Sequence, residues 1–128
     1  MGNKEVFVDS SVLVAACLSS SGASYFCLIS APAKGYKFLI NEIVFEEILD
    51  VLKRKFPELT NKFFGFLSIG NFSILKNPNK KELKSVKNLI EEKDAPILVS
   101  ALEYTDFLLT LDKEFFRKEV VILLKAIN

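Results

Sequence analysis

Short runs of β-branched, aromatic and leucine residues recur along this chain without polar alternation: Val6-Phe7-Val8, Phe38-Leu39-Ile40, Phe107 to Leu111 and Val120 to Leu124. A strand with one wet face alternates apolar and polar side chains, because successive residues point to opposite sides. Runs that are apolar at every position therefore predict strands covered on both faces, the condition of a parallel sheet between two layers of helices. The segments between the runs read as helices. After the strand Lys4 to Val8, Asp9-Ser10-Ser11 opens a helix over Val12 to Leu18, Ser19 to Gly22 turns the chain, and Ala23 to Ala31 is a second helix. Gly35 introduces the strand Tyr36 to Ile40, and Asn41 caps a helix over Glu42 to Phe56 that Pro57 ends. In that helix Ile43, Val44, Ile48, Val51 and Leu52 recur at spacings of three and four, while Glu42, Glu46, Asp50 and Lys53 line the other side. Leu59 to Leu67 follows as a helix, Asn71 to Leu75 as a third strand and Asn77 to Lys80 as a loop. A charged helix over Lys81 to Glu92 turns Leu83, Val86, Leu89 and Ile90 inward, and Asp94 opens a last helix over Ala95 to Tyr104. The expectation is an α/β fold, a three-layer α/β/α sandwich around a central parallel sheet, as a single domain over residues 1–128 with no repeat and no linker.

Composition narrows the chemistry more than the fold. The chain has 17 Lys and Arg against 16 Asp and Glu, a net charge of +1, so it is neither a polycationic nucleic-acid coat nor an acidic disordered tail. It contains no His, which excludes imidazole bases, Ser-His triads and His-ligated metals and leaves carboxylates as the polar catalysts at hand. Two cysteines, Cys17 and Cys27, cannot build a four-ligand zinc site; both sit among apolar residues and read as buried core thiols in a reducing cytosol. Residues Ser10 to Ala33 carry no charge, but Asp9 and Ser19-Ser20-Ser21-Gly22 interrupt the apolar run, which falls short of the roughly 20 residues of a membrane helix. The expectation is a cytoplasmic protein without a membrane segment.

Acids that directly follow strands are better placed for chemistry than acids that precede them, since open α/β sheets bind ligands at the carboxyl ends of their strands. Asp9 and Asp112 follow strands; Asp106 precedes one and belongs at the far end. Each has a plain alternative, Asp9 as a helix N-cap and Asp112 as a turn residue. Glu47 falls on the apolar stripe of its helix or at its edge, where an ionised carboxylate needs a cation. Asp94 stands before the Pro96-containing first turn of its helix and is open to both readings, cap or ligand. If the strands bearing Asp9 and Asp112 are neighbours, these two acids, Glu47 and Asp94 converge at one end of the sheet. Carboxylates so grouped repel one another unless a divalent cation holds them, and hard oxygen donors without imidazole or thiolate suit Mg²⁺ or Mn²⁺. Such a site fits hydrolysis of phosphodiesters.

With these residues in view, the chain resembles the PIN domain family of nucleases, related to the toxin components (VapC-like) of prokaryotic toxin-antitoxin pairs. Val6-Phe7-Val8-Asp9-Ser10-Ser11-Val12-Leu13 is similar to the family's first strand and acid, and Phe38-Leu39-Ile40-Asn41 with Glu47 to its second strand, capped helix and second acid. Asp94-Ala95-Pro96-Ile97-Leu98 with Ala101 resembles the third-acid helix, and Leu108-Leu109-Thr110-Leu111-Asp112-Lys113-Glu114-Phe115 the fourth-acid segment. The resemblance implies a metal-dependent endoribonuclease in which Asp9, Glu47, Asp94 and Asp112 bind one or two Mg²⁺ or Mn²⁺ ions and Thr110 orients a carboxylate or water. It also implies RNA as substrate, a homodimer, and an antitoxin protein as partner. Many members carry Asn where this chain has Ser11, which leaves Ser11 as the candidate to support Asp9.

Lys80, Lys81 and Lys84, with Lys76 and Lys87, form a basic run that reads first as a solvated face and second as a contact to RNA phosphates. Two other classes compete with a nuclease. One is a non-catalytic PIN-like module that binds RNA or a protein. The other is a signalling receiver domain, disfavoured because Ser10 and Ser11 stand where its second acid would be and Leu75-Lys76-Asn77 lacks its phosphoacceptor Asp.

Overall fold

The computed structural model describes residues 4–70, 72–105 and 107–113. Within them four strands, β1 (Lys4–Val8), β2 (Tyr36–Asn41), β3 (Ser73–Leu75) and β4 (Phe107–Leu109), form one parallel sheet in the order β3-β2-β1-β4. Helices α1 (Ser10–Leu18) and α2 (Ala23–Ser30) join β1 to β2, α3 (Glu42–Lys55) and α4 (Thr60–Ile69) join β2 to β3, and α5 (Lys80–Lys84) and α6 (Ala95–Tyr104) join β3 to β4. Phe7 and Val8 of β1 are both buried, as are Phe38, Leu39 and Ile40 of β2. Since neighbouring residues of a strand face opposite ways, helices must cover both sides of the sheet, which is the expected α/β architecture.

Each junction has a local cause. Gly35 takes a φ of +91°, a conformation costly for any side chain, and swings the chain into β2. Asn41 ends β2 and caps α3: its Oδ1 accepts the Val44 N–H at 2.9 Å, as the sequence predicts. Pro57 follows α3 and begins a short 3-10 turn, Pro57–Leu59. The loop before α5 is tied to the start of α3 in both directions, with Asn77 Oδ1 accepting from Ile43 N–H and Glu42 Oε1 accepting from Asn77 N–H. Helix α6 is buried at every residue from Ala95 to Ala101, on all sides rather than along one stripe, and only its last turn, with Glu103 and Tyr104, is exposed.

The strand order places the site. The chain runs outward from β1 through β2 to β3, then crosses back to set β4 on the other side of β1. Such a reversal of direction leaves a crevice at the carboxyl ends of β1 and β4, the strands on either side of it. Val8 pairs with Leu109, and the Asp9 N–H donates to the Leu109 carbonyl at 3.0 Å, so the strands bearing Asp9 and Asp112 are indeed neighbours.

Several expectations are corrected. The helix expected over Lys81 to Glu92 is only the five residues Lys80–Lys84, opened by a capping box between Asn79 and Glu82. Beyond it Ser85 Oγ donates to the Glu82 carbonyl at 2.6 Å, and Ser85, Val86, Lys87 and Leu89 make i→i−3 bonds, so a hydroxyl competing for the helical acceptor tightens the chain into successive turns. Val86 and Ile90 still reach the core. Cys17 is buried as expected, but Cys27 is exposed, because α2 presents Leu28 to the core and turns Phe26 and Cys27 outward. Strand β4 stops at Leu109 rather than Leu111, since the amides of Leu111 and Asp112 bond to side-chain hydroxyls instead of a neighbouring strand. The expected strand Val120 to Leu124 and the position of Asp106 lie outside the described residues. Among the described residues no single helix is long and apolar enough to cross a membrane.

Candidate functional site

A cleft of about 710 Å³ opens at the carboxyl ends of β1 and β4. Asp9, Ser10 and Ser11 enter it from the β1–α1 junction, Glu47 from α3, Glu92, Lys93 and Asp94 from the turn before α6, and Asp112 from the segment after β4. Val14, Ile43, Val51 and Pro96 form its apolar wall. The four acids singled out in the sequence therefore line one cavity.

Asp9 is 4% exposed, and its side chain makes no capping bond to α1. Its Oδ2 accepts from Thr110 Oγ1 at 2.7 Å and from Ser11 Oγ at 3.0 Å. Those hydroxyls in turn accept the backbone N–H groups of Asp112 and Leu111, at 2.9 and 3.1 Å. Two hydroxyls thus transmit two consecutive amides of the β4 loop onto one oxygen, fixing Asp9 to the segment that carries Asp112. Ser11 performs this service directly. Ser10 Oγ lies 3.4 Å from Asp9 Oδ1 and 3.2 Å from Glu47 Oε1, and its single proton serves these two acids in alternation. Replacing Thr110 by Val keeps its shape but removes the hydroxyl that accepts the Asp112 N–H and donates to Asp9 Oδ2; a loss of about 1 to 2 kcal/mol in urea unfolding is expected. An unchanged midpoint would mean that water replaces the hydroxyl at no cost.

Asp94 is the most anomalous group. It is 7% exposed, it makes no capping bond to α6, and its Oδ2 is buried without a hydrogen-bond partner. Burial, followed by the charge of Asp112, pushes its carboxyl up to about 6, against a downward pull from Lys93; Asp9 and Glu91 add to the rise. The cap reading of Asp94 fails on this geometry, and the carboxyl senses both Asp9 and Asp112.

Of the two places the sequence leaves open for Glu47, the stripe or its edge, the structure takes the edge. Glu47 is exposed, at the rim of the cleft and not on the buried stripe, which is carried by Val44, Ile48 and Leu52. The spacing of apolar residues could not separate stripe from edge here. Lys80, Lys81 and Lys84 are exposed on α5 and do not line the acidic cleft; Lys81 instead borders a separate cavity of about 550 Å³ with Glu82, Ser85 and Glu103. Sequence reasoning missed Ser10, Glu92 and Lys93 as members of the site, although their adjacency to Asp9 and Asp94 was the available signal.

The donor set is of the type a hard divalent cation takes: oxygens only, mutually repelling, with one buried oxygen lacking a partner. Among the described residues, however, no three Asp, Glu, Cys or His side chains are grouped tightly enough to hold one metal ion between them. Mg²⁺ commonly takes only one or two protein carboxylates and keeps several waters, so this spacing suits a partly hydrated ion and not a closed protein cage. Comparison with known family models and with curated protein sequences returns no match for this chain.

Proposed function

We propose that this chain is a PIN-like, metal-dependent endoribonuclease that hydrolyses RNA phosphodiesters at the acidic cleft, acting in the cytoplasm as the toxin of a toxin-antitoxin pair. The observation that carries the reading is the buried, unpartnered Oδ2 of Asp94 beside the charges of Asp112 and Asp9, at the strand-order reversal where parallel sheets bind ligands. A protein keeps such an unsatisfied acid where a ligand completes it. The four ordered sequence segments that resemble the family support the same reading.

In this proposal Asp9, Glu47, Asp94 and Asp112 would share one or two partly hydrated Mg²⁺ or Mn²⁺ ions, each bound by one or two of these acids, and the metal would supply Lewis acidity toward water and charge to offset that building on the phosphate. Ser11 and Thr110 keep Asp9 Oδ2 engaged, so its Oδ1 is the oxygen with acceptor capacity to spare. Ser10 keeps Glu47 within reach of Asp9. The apolar wall of Val14, Ile43, Val51 and Pro96 lowers the local dielectric and strengthens each charge interaction in the cleft. The same resemblance assigns a homodimer and an antitoxin that covers the cleft.

A second reading, a non-catalytic PIN-like module that binds RNA or a protein, is favoured by one observation, the absence of a tight three-acid group among the described residues. One experiment separates the two. Purified wild type and Asp94→Asn are incubated with structured and single-stranded RNAs in Mg²⁺, Mn²⁺ or EDTA. Cleavage by wild type in either metal, none in EDTA and none by the variant is the expected result. Folded wild type that binds RNA and leaves it intact with both metals would replace the nuclease by the binding module.

A further inference from the structure

Lys93 is the single basic side chain among the described residues lining the acidic cleft, on the short 3-10 turn Glu92–Asp94. Its ammonium rests 3.6 Å from Glu91, with both side chains largely in solvent, Lys93 at 75% exposure. An exposed pair of this kind is worth little, so the long side chain is free to swing to another anion at small cost. The other charges that act on it are anionic cleft residues: Asp94, next to it on the same turn, and Asp112 from the segment after β4. A phosphodiester approaching this cavity meets four acids and Glu92, and none of the described lining residues is aromatic, so base stacking is not on offer there. What the cleft does offer an RNA backbone, beside a bound cation, is this one ammonium. The lysines of α5 lie elsewhere.

Resting on the nuclease reading above, we infer that Lys93 is the substrate-positioning residue of the cleft: a mobile cation that grips an RNA phosphate and, without RNA, stands as counter-charge to the acids. A single charge in both roles has an opposed signature. Beside the acids it competes with a divalent ion, so its removal strengthens metal binding. Toward RNA it attracts, so the same removal weakens substrate binding. A lysine that merely solvates the surface or braces the turn moves neither quantity in this pattern.

The test compares wild type, Lys93→Met and Lys93→Arg. Mn²⁺ is titrated calorimetrically without RNA, and cleavage of a random-sequence single-stranded RNA pool is then followed at saturating Mn²⁺ over a range of KCl. Lys93→Met should bind Mn²⁺ roughly three- to tenfold more tightly, as expected for losing one positive charge across a partly wet cleft. Its apparent KM for RNA should rise about tenfold, the loss falling more on KM than on kcat, and the slope of log(1/KM) against log salt should shrink by about 0.7, one phosphate contact fewer. Lys93→Arg, which keeps the charge, should match wild type in both assays. Lys93→Met with wild-type Mn²⁺ affinity and wild-type KM overturns the inference while leaving the nuclease standing. Wild type that neither binds Mn²⁺ nor cleaves RNA removes the nuclease reading itself and this inference with it.

Discussion

Replacing Asp94 by Asn is expected to make the metal-free protein more stable at neutral pH while abolishing the proposed cleavage. The reason lies in the carboxyl pushed up to about 6 by burial and by Asp112. An unfolded chain releases that proton near pH 3.9. Between the two values the folded state holds a proton that the unfolded state has lost, so the slope of stability with pH is negative. The contribution of Asp94 is therefore most favourable below about pH 4, falls as pH rises through about 6, and is level above. The difference of about 2 pH units corresponds to about 3 kcal/mol at most, and about 2 kcal/mol is expected. Asn is uncharged at every pH, so the variant should gain that amount at pH 7.5 and nothing at pH 3.5, read from urea unfolding at the two values. Saturating Mn²⁺ should reverse the order, because wild type gains stability by binding a ligand that the unfolded chain does not hold, and the variant loses an acid of that site. Changes in groups that only orient a metal ligand cost 10- to 100-fold in activity, so loss of a direct ligand should exceed about 100-fold. Equal stability of the two proteins at pH 7.5 would show that the charge of Asp94 is already compensated within the protein.

Among the polar side chains of the described residues, Asn41 is expected to give the largest loss of stability on replacement by Ala, about 3 to 4 kcal/mol. The amide is 0% exposed and every one of its contacts is internal. Oδ1 caps α3 through the Val44 N–H, and Nδ2 donates to the Pro96 carbonyl at 3.2 Å and to Ser100 Oγ at 3.1 Å. Alanine removes the cap, worth about 1 kcal/mol, and strands a carbonyl and a hydroxyl in the core, each costing about 1 kcal/mol or more. Ser100→Ala deletes only one of these partners and should cost about 1 kcal/mol, so the pair measured by urea midpoint gives an internal scale. The consequence reaches the cleft, since Asn41 joins the start of α3, which carries Glu47, to the first turns of α6, which follow Asp94. An Asn41→Ala midpoint shift no larger than that of Ser100→Ala would show that only the Ser100 bond contributes, and that α6 is held by its apolar contacts alone.

How far the amino-acid sequence foretells this molecule follows from the range over which each signal acts. The strands, helices and caps are local: Val6-Phe7-Val8 and Phe38-Leu39-Ile40 are apolar at every position, Asn41 precedes a helical pattern, and Pro57 follows one. These fix an α/β fold with buried parallel strands, because the pleat and the helical period are set by the backbone. Where a side chain competed with the backbone the local signal failed. Ser85 broke a helix whose apolar spacing was sound, and Ser11 and Thr110 took the amides that would have prolonged β4. Burial within an element was equally out of reach: Cys27 was assigned inward and Glu47 left between stripe and edge from neighbours in sequence, yet half a turn of helix separates a core position from the rim.

The four acids and their order were legible in the chain from the start, since an acid after an apolar run is a local pattern. That they line one cleft could be stated only as a condition or through the family resemblance, because it depends on β4 crossing back to lie beside β1, a choice between strand orders that no run of residues encodes. Tertiary structure alone brings Thr110 onto Asp9 across 101 positions of chain, leaves Asp94 Oδ2 without a partner, and sets Lys93 among the acids. Sequence determined which groups are present and which local elements carry them; packing of α3 and α6 about the β1–β4 reversal decided which of those groups share a field, and so which are perturbed.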